Sequence, residues 1–100
     1  MNKTGVLEAL QEIPGVGKSV AEDLWKLGIK KTGDLRGQNP QRLYERHCRQ
    51  KRQIVDRCML YVLRCAVYYA SAKNPNPELF QWWRWSDENM RRRKNPLALF

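Results

Sequence analysis

Residues 12–24 read EIPGVGKSVAEDL, and the purpose of the glycines at 15 and 17 decides the fold. The string GVGKS suggests the phosphate loop of a nucleotide hydrolase. That loop needs a further glycine five positions before the Gly of its Gly-Lys-Ser, so that the backbone can wrap around two phosphates. Here the position holds Glu12, whose carboxylate repels phosphate. The loop should also follow a buried strand, yet the preceding VLEALQEI has no run of β-branched residues. A dinucleotide-binding turn fails too, because Val20 stands where the third glycine is required. What remains is a tight turn between two helices. Pro14 disfavours helix at Ile13, Gly15 can adopt positive φ, and Gly17 lets another backbone come close. Val16 is expected to point inward and lock the helices. The turn's amides and the unpaired N–H groups of the new helix then face one side, an anion site beside Lys18 that suits one backbone phosphate.

The rest of the chain supports that kind of partner. One hundred residues carry 19 basic against 10 acidic side chains, a formal charge of +9, which points toward a polyanion. The size suits one small domain with little room for an enclosed active site. No apolar run approaches the roughly 20 residues needed to span a bilayer, and no signal peptide opens the sequence. Three cysteines at unpaired spacings fit a reducing compartment better than a disulfide framework. These readings predict a cytoplasmic protein with no membrane partner.

Nearly every segment reads as helix, so the predicted class is all-α. Thr4 is placed to cap a first helix carrying Val6, Leu7 and Leu10 on one face. The second carries Val20, Ala21, Leu24 and Leu27 and stops at Gly28. These form a hairpin over residues 6–28, and a degenerate second hairpin is expected over 32–50, with Asn39-Pro40 starting its last helix. A long helix over 53–72 has Ile54, Cys58, Tyr61, Cys65 and Tyr69 in one stripe and Arg57 and Arg64 on the wet face opposite. Asn76-Pro77 opens an aromatic helix over 77–85. A domain of residues 1–87 is thus followed by a mobile basic tail, 88–100.

At Ile13, Pro14, Gly15, Val16, Gly17, Lys18 and Ala21 the sequence resembles the helix-hairpin-helix family of DNA-binding modules. That resemblance implies a SAM-like helical core and sequence-independent contact with DNA phosphates through the amides around Val16 and Gly17. LGIKKTGDLRGQNPQRLYE resembles the second hairpin of paired modules, with only Gly37 left in its turn. The stretch through DRCMLYVLRCAVYYAS and NPELFQWWRWSD, residues 6–87 in all, resembles the small bacterial pathogenicity-locus family, some of whose members are labelled mitomycin-resistance proteins. Those labels imply fold, not reaction.

Further candidates follow from charge and aromaticity. Lys18 and Ser19 stand where they could touch a phosphate, and Lys26, Lys30 and Lys31 extend the footprint. Arg46, Arg49 and Arg52, with Arg42 and Lys51, are spaced to follow a second phosphate strand, although a solvated face produces the same pattern. His47, Cys48, Cys58 and Cys65 lack the two-to-four-residue spacing of structural zinc sites, so buried thiols and no cofactor are expected. His47, the single histidine, has no placed acid or nucleophile beside it in sequence. In FQWWRW, a base-stacking platform competes with core packing; Trp83 is assigned to the core, and Trp82 and Trp85 are left open. Finally, Leu97, Leu99 and Phe100 end a basic tether. They resemble the last positions of the terminal peptides that dock on the bacterial sliding clamp, with Pro96 in place of the usual glutamine. The expectation is a non-enzymatic protein that binds duplex or branched DNA in repair or recombination. The competing reading is a protein-interaction adaptor whose hairpin has lost DNA.

Overall fold

The computed structural model describes residues 2–92. Among them the fold is all-α: helices α1 (Lys3–Leu10), α2 (Lys18–Lys26), α3 (Pro40–Lys51), α4 (Cys58–Ser71) and α5 (Asp87–Arg92) are joined by 3-10 turns at Thr32–Leu35, Pro77–Phe80 and Trp82–Trp85. The described helices include none long and apolar enough to cross a membrane. Leu97, Leu99 and Phe100 lie outside the described residues.

α1 and α2 pack against each other across the Ile13–Gly17 turn. Val6, Leu10, Ile13, Val16, Ala21, Leu24 and Leu27 are all buried there and join one core with Leu35, Leu43, Leu60, Leu63 and Val67. Each fully buried Leu or Ile contributes about 1.5–3 kcal/mol, so the turn is held by what it buries. The α1 cap is Asn2, whose Oδ1 accepts from the Gly5 amide at 2.8 Å, so the helix starts ahead of the expected Thr4.

α4 is the centre of the molecule, packed by α3, the Thr32–Leu35 turn and both aromatic turns. It is shorter than the expected 53–72. Arg52 ends α3 in the left-handed region, at φ 56°, and Asp56 Oδ1 accepts from the Cys58 amide at 2.8 Å, which starts α4 only there. Ile54 therefore falls in a connector and is 93% exposed rather than in the stripe. α4 is also buried on more than one face, with Met59, Leu60, Val62, Leu63, Cys65, Ala66, Val67 and Tyr68 all inside. Arg64 is correspondingly not on a wet face: its Nη1 donates to the Trp85 carbonyl at 2.9 Å and lies 3.0 Å from Asp87.

The aromatic segment corrects a second expectation. It forms two 3-10 turns, not one α-helix, so residues three apart eclipse. Trp82 and Trp85 then share a face of the second turn, and Leu79 packs on the same small cluster from the first, whereas Leu79 and Trp83 would share a face only if one α-helix ran through both. Trp85 is fully buried against Cys65 and Tyr68, with its indole N–H donating to the Leu79 carbonyl at 2.8 Å. Trp83 is 52% exposed. Trp82, partly buried, bridges this small cluster to the main core.

The stretch expected to be a mobile tail from residue 88 begins as α5. Arg57 grips Asp87 with two bonds of 2.7 and 2.9 Å, and Tyr61 donates to it at 3.3 Å. The guanidinium of Arg57, helped by Arg64, holds the Asp87 carboxyl well below the usual carboxylate range. A charged anchor of this kind fixes the helix start.

Candidate nucleic-acid interface

The Ile13–Gly17 turn closes with the Val16 amide donating to the Ile13 carbonyl at 3.0 Å. Gly15 takes φ +83°, which an L side chain rarely adopts. Val16 points into the core as expected, but its amide is consumed, so it holds the turn's shape and offers no donor. Gly17 is different. It is the N-cap of α2 at φ −92°, makes no side-chain cap, and a Cβ built on it meets nothing within 4 Å. No described side chain accepts from the amides of Gly17, Lys18 or Ser19. All three residues are exposed. The site is thus the unsealed start of a helix nine residues long.

Around it the charges sort themselves. A shallow depression is lined by Lys18, Ser19, Glu22, Asp23, Lys26 and Lys51. Glu22 pairs with Lys3 at 2.7 Å, and that ammonium holds its pKa below the ordinary value. Asp23 faces Lys51 at 3.7 Å. Both acids are therefore balanced, and Lys18 and Lys26 make no ion pair among the described residues. They stand eight residues apart on one helix, about 12 Å along its axis. Lys51, expected in the run with Arg46, Arg49 and Arg52, is brought here by the packing of α3 on α2.

The other cations divide. Lys30 lies 3.4 Å over the Trp25 ring and donates to the Trp25 carbonyl at 3.0 Å, so it serves the end of α2. Lys31, exposed, lines a separate depression with Val6, Trp25, Lys30 and Asp34. Arg46 Nη2 donates to the Leu27 carbonyl at 3.0 Å, and Gln50 Nε2 to that of Lys26 at 3.0 Å. Together they seal the carboxyl end of α2, a role favoured by the helix dipole. Arg46, Arg49 and Gln50 share a third depression, and Arg52 is exposed at the end of α3. Lys30, Lys31, Arg46, Arg49 and Arg52 are thus not assembled in the Lys18 depression. The amide of Gly37, the glycine of the expected second hairpin, donates to Ser71 Oγ at 3.1 Å.

His47 has a neighbour the sequence did not place: its Nε2 lies 3.9 Å from Asp23. Burial pushes the imidazole pKa below its ordinary value, against the smaller upward pull of Asp23, and so favours the neutral ring. At 3% exposed it is a core polar group. Burial also pushes the Cys65 thiol up to about 12, which makes it an inert hydrophobe. Cys58 is exposed, contrary to the buried thiol expected, because it opens α4. No cluster of three or more His, Cys, Asp or Glu with metal-binding placement occurs among the described residues.

Residues 3–91, nearly all of the described fold, match the family model described as Pathogenicity locus. The chain belongs to that family. It is also 33% identical over 82 residues to the mitomycin resistance protein McrB of Streptomyces lavendulae, covering 82% of this chain and 74% of that one. No solved structure matches significantly. The family match takes in α1 through nearly all of α5, so the helix anchored at Asp87 lies within it, beyond the 6–87 expected from the sequence.

Proposed function

We propose that this member of the pathogenicity locus family is a helix-hairpin-helix DNA-binding module. In this reading it grips one backbone phosphate at the start of α2 without reading sequence and catalyses no reaction. The observation that carries the proposal is Gly17. Its φ is ordinary and its Cβ direction is open, so folding does not demand glycine there. A Ser, Asp or Asn at an N-cap would stabilise the helix more, by closing the amides that Gly17 leaves bare. An external acceptor accounts for that choice, and a phosphate fits the donors and the dipole. Lys18 and Lys26, the unbalanced cations of the depression, supply the non-specific attraction.

His47 is too buried to meet a substrate, which supports a binding role over a catalytic one. A place in DNA repair or recombination follows from the helix-hairpin-helix reading alone; the name of the Streptomyces relative records a resistance and no ligand. Docking of Leu97, Leu99 and Phe100 on a sliding clamp rests on sequence alone, and a peptide of residues 91–100 titrated with the clamp tests it.

The test of DNA binding is a salt-titrated isotherm on duplex DNA. Lys18→Ala should weaken binding equally on unrelated sequences and lower the salt slope by about one. Gly17→Leu should fold normally and bind at least about ten-fold more weakly, the loss of one charge-assisted contact. Unchanged affinity in a folded Gly17→Leu variant removes the turn from the DNA surface.

A further inference from the structure

We propose that Trp83 is a stacking platform for an unpaired base, so that the protein prefers DNA whose strands separate next to the gripped phosphate. This rests on the DNA-binding reading above and names its substrate class.

Trp83 is a large apolar side chain, half exposed, in a segment whose other two tryptophans are packed inward. Its backbone is not loose. The Trp83 carbonyl accepts from Asn89 Nδ2 at 3.0 Å and from the Ser86 amide at 3.3 Å. The Trp82 ring stands edge-on to it, with centroids 5.9 Å apart and planes at 84°. A ring presented by a fixed backbone loses little entropy when a flat ligand lands on it.

Its position supplies the rest. A Cβ built on Gly15 would touch Trp82 Cβ and Cδ1 at 3.5 Å, so the aromatic segment packs directly on the Gly15–Gly17 turn. Gly15 and Gly17 are at most about 7 Å apart along the chain. Added to the Gly15–Trp82 contact and the ring spacing, this keeps Trp83 within about 20 Å, roughly six nucleotide rises, of Gly17. Arg84 follows immediately, and its Nε is held by Gln81 at 2.6 Å. A rigid aromatic face, a neighbouring cation and a phosphate grip within one strand's reach are the ingredients of a single-strand site. Stacking accepts any base, which agrees with a grip that reads no sequence. A docked peptide would use the same exposed ring, but it would leave DNA preference untouched.

The experiment compares the full chain on a blunt duplex and on the same duplex with an unpaired extension of about six nucleotides. Wild type should bind the extended form about ten-fold more tightly, the effect of roughly one stacked base. Trp83→Ala should bring the two affinities together while blunt-duplex binding stays within about two-fold, and Trp83→Phe should keep most of the preference. Equal wild-type affinities, or a preference that survives Trp83→Ala, overturns the platform. Gly17→Leu should weaken both substrates alike and keep their ratio. If wild type binds neither DNA, the grip itself fails, and the platform with it.

Discussion

Helices α2 and α3 begin in opposite ways. At the start of α3, Asn39 Oδ1 accepts from the Gln41 and Arg42 amides at 2.9 and 3.3 Å, and Pro40 supplies the first residue with no N–H to satisfy. Just before it, the Gly37 amide is bonded to Ser71. At the start of α2, a bare glycine leaves Gly17, Lys18 and Ser19 without a side-chain acceptor. Both ends lie in the same basic domain and both follow a glycine turn. One is built for stability and the other gives some stability up. The difference separates the turn that holds the fold from the turn we assign to a ligand.

The largest expected effect concerns what seats the open turn. Trp85→Ala should cost about 3–5 kcal/mol, because it empties the cluster that carries Trp82 against Gly15. Trp83→Ala should cost under about 0.5 kcal/mol, as for other exposed sites. Chemical denaturation of the two variants checks this, and equal losses would mean the segment packs differently. Next comes the sealed end: Asn39→Ala should cost about 1 kcal/mol and leave DNA affinity alone. The smallest effect is the sharpest. Gly17→Asn should gain a few tenths of a kcal/mol by capping α2, yet lose DNA affinity because its side chain occupies the amides. Thermal melts and isotherms on the same protein give both signs, and affinity that rises along with stability would erase the contrast between the two helix starts.

The helical class and the glycine turn were legible in the sequence because they rest on local chemistry: Pro14 and the glycines act within a few residues of themselves. Asn39-Pro40 was legible for the same reason, and the structure starts α3 there. What failed was periodicity where the helix type changed. The stripe through Ile54 assumed that helix continued across residues 53–57, and Asp56 capping the Cys58 amide cannot be weighed against that from sequence alone. Spacing along an α-helix assigns Trp83 to the core, while the 3-10 turn puts Trp85 there instead. The sequence shows Lys30 and Arg46 only as basic residues; the fold leaves both exposed and gives each a carbonyl partner at the carboxyl end of α2. Lys51 was legible only as one of a run, since its place beside Asp23 depends on how α3 crosses α2.

The phosphate contact we propose lies at the open amides of α2 and not at the sealed ones of α3. Backbone amide resonances of the nitrogen-15-labelled full chain, followed as duplex DNA is added, test this residue by residue. The largest shifts are expected at Gly17, Lys18 and Ser19, with Gly37, Gln41 and Arg42 nearly still. Shifts centred on Arg46, Arg49 and Arg52, with Gly17 to Ser19 unmoved, would contradict it.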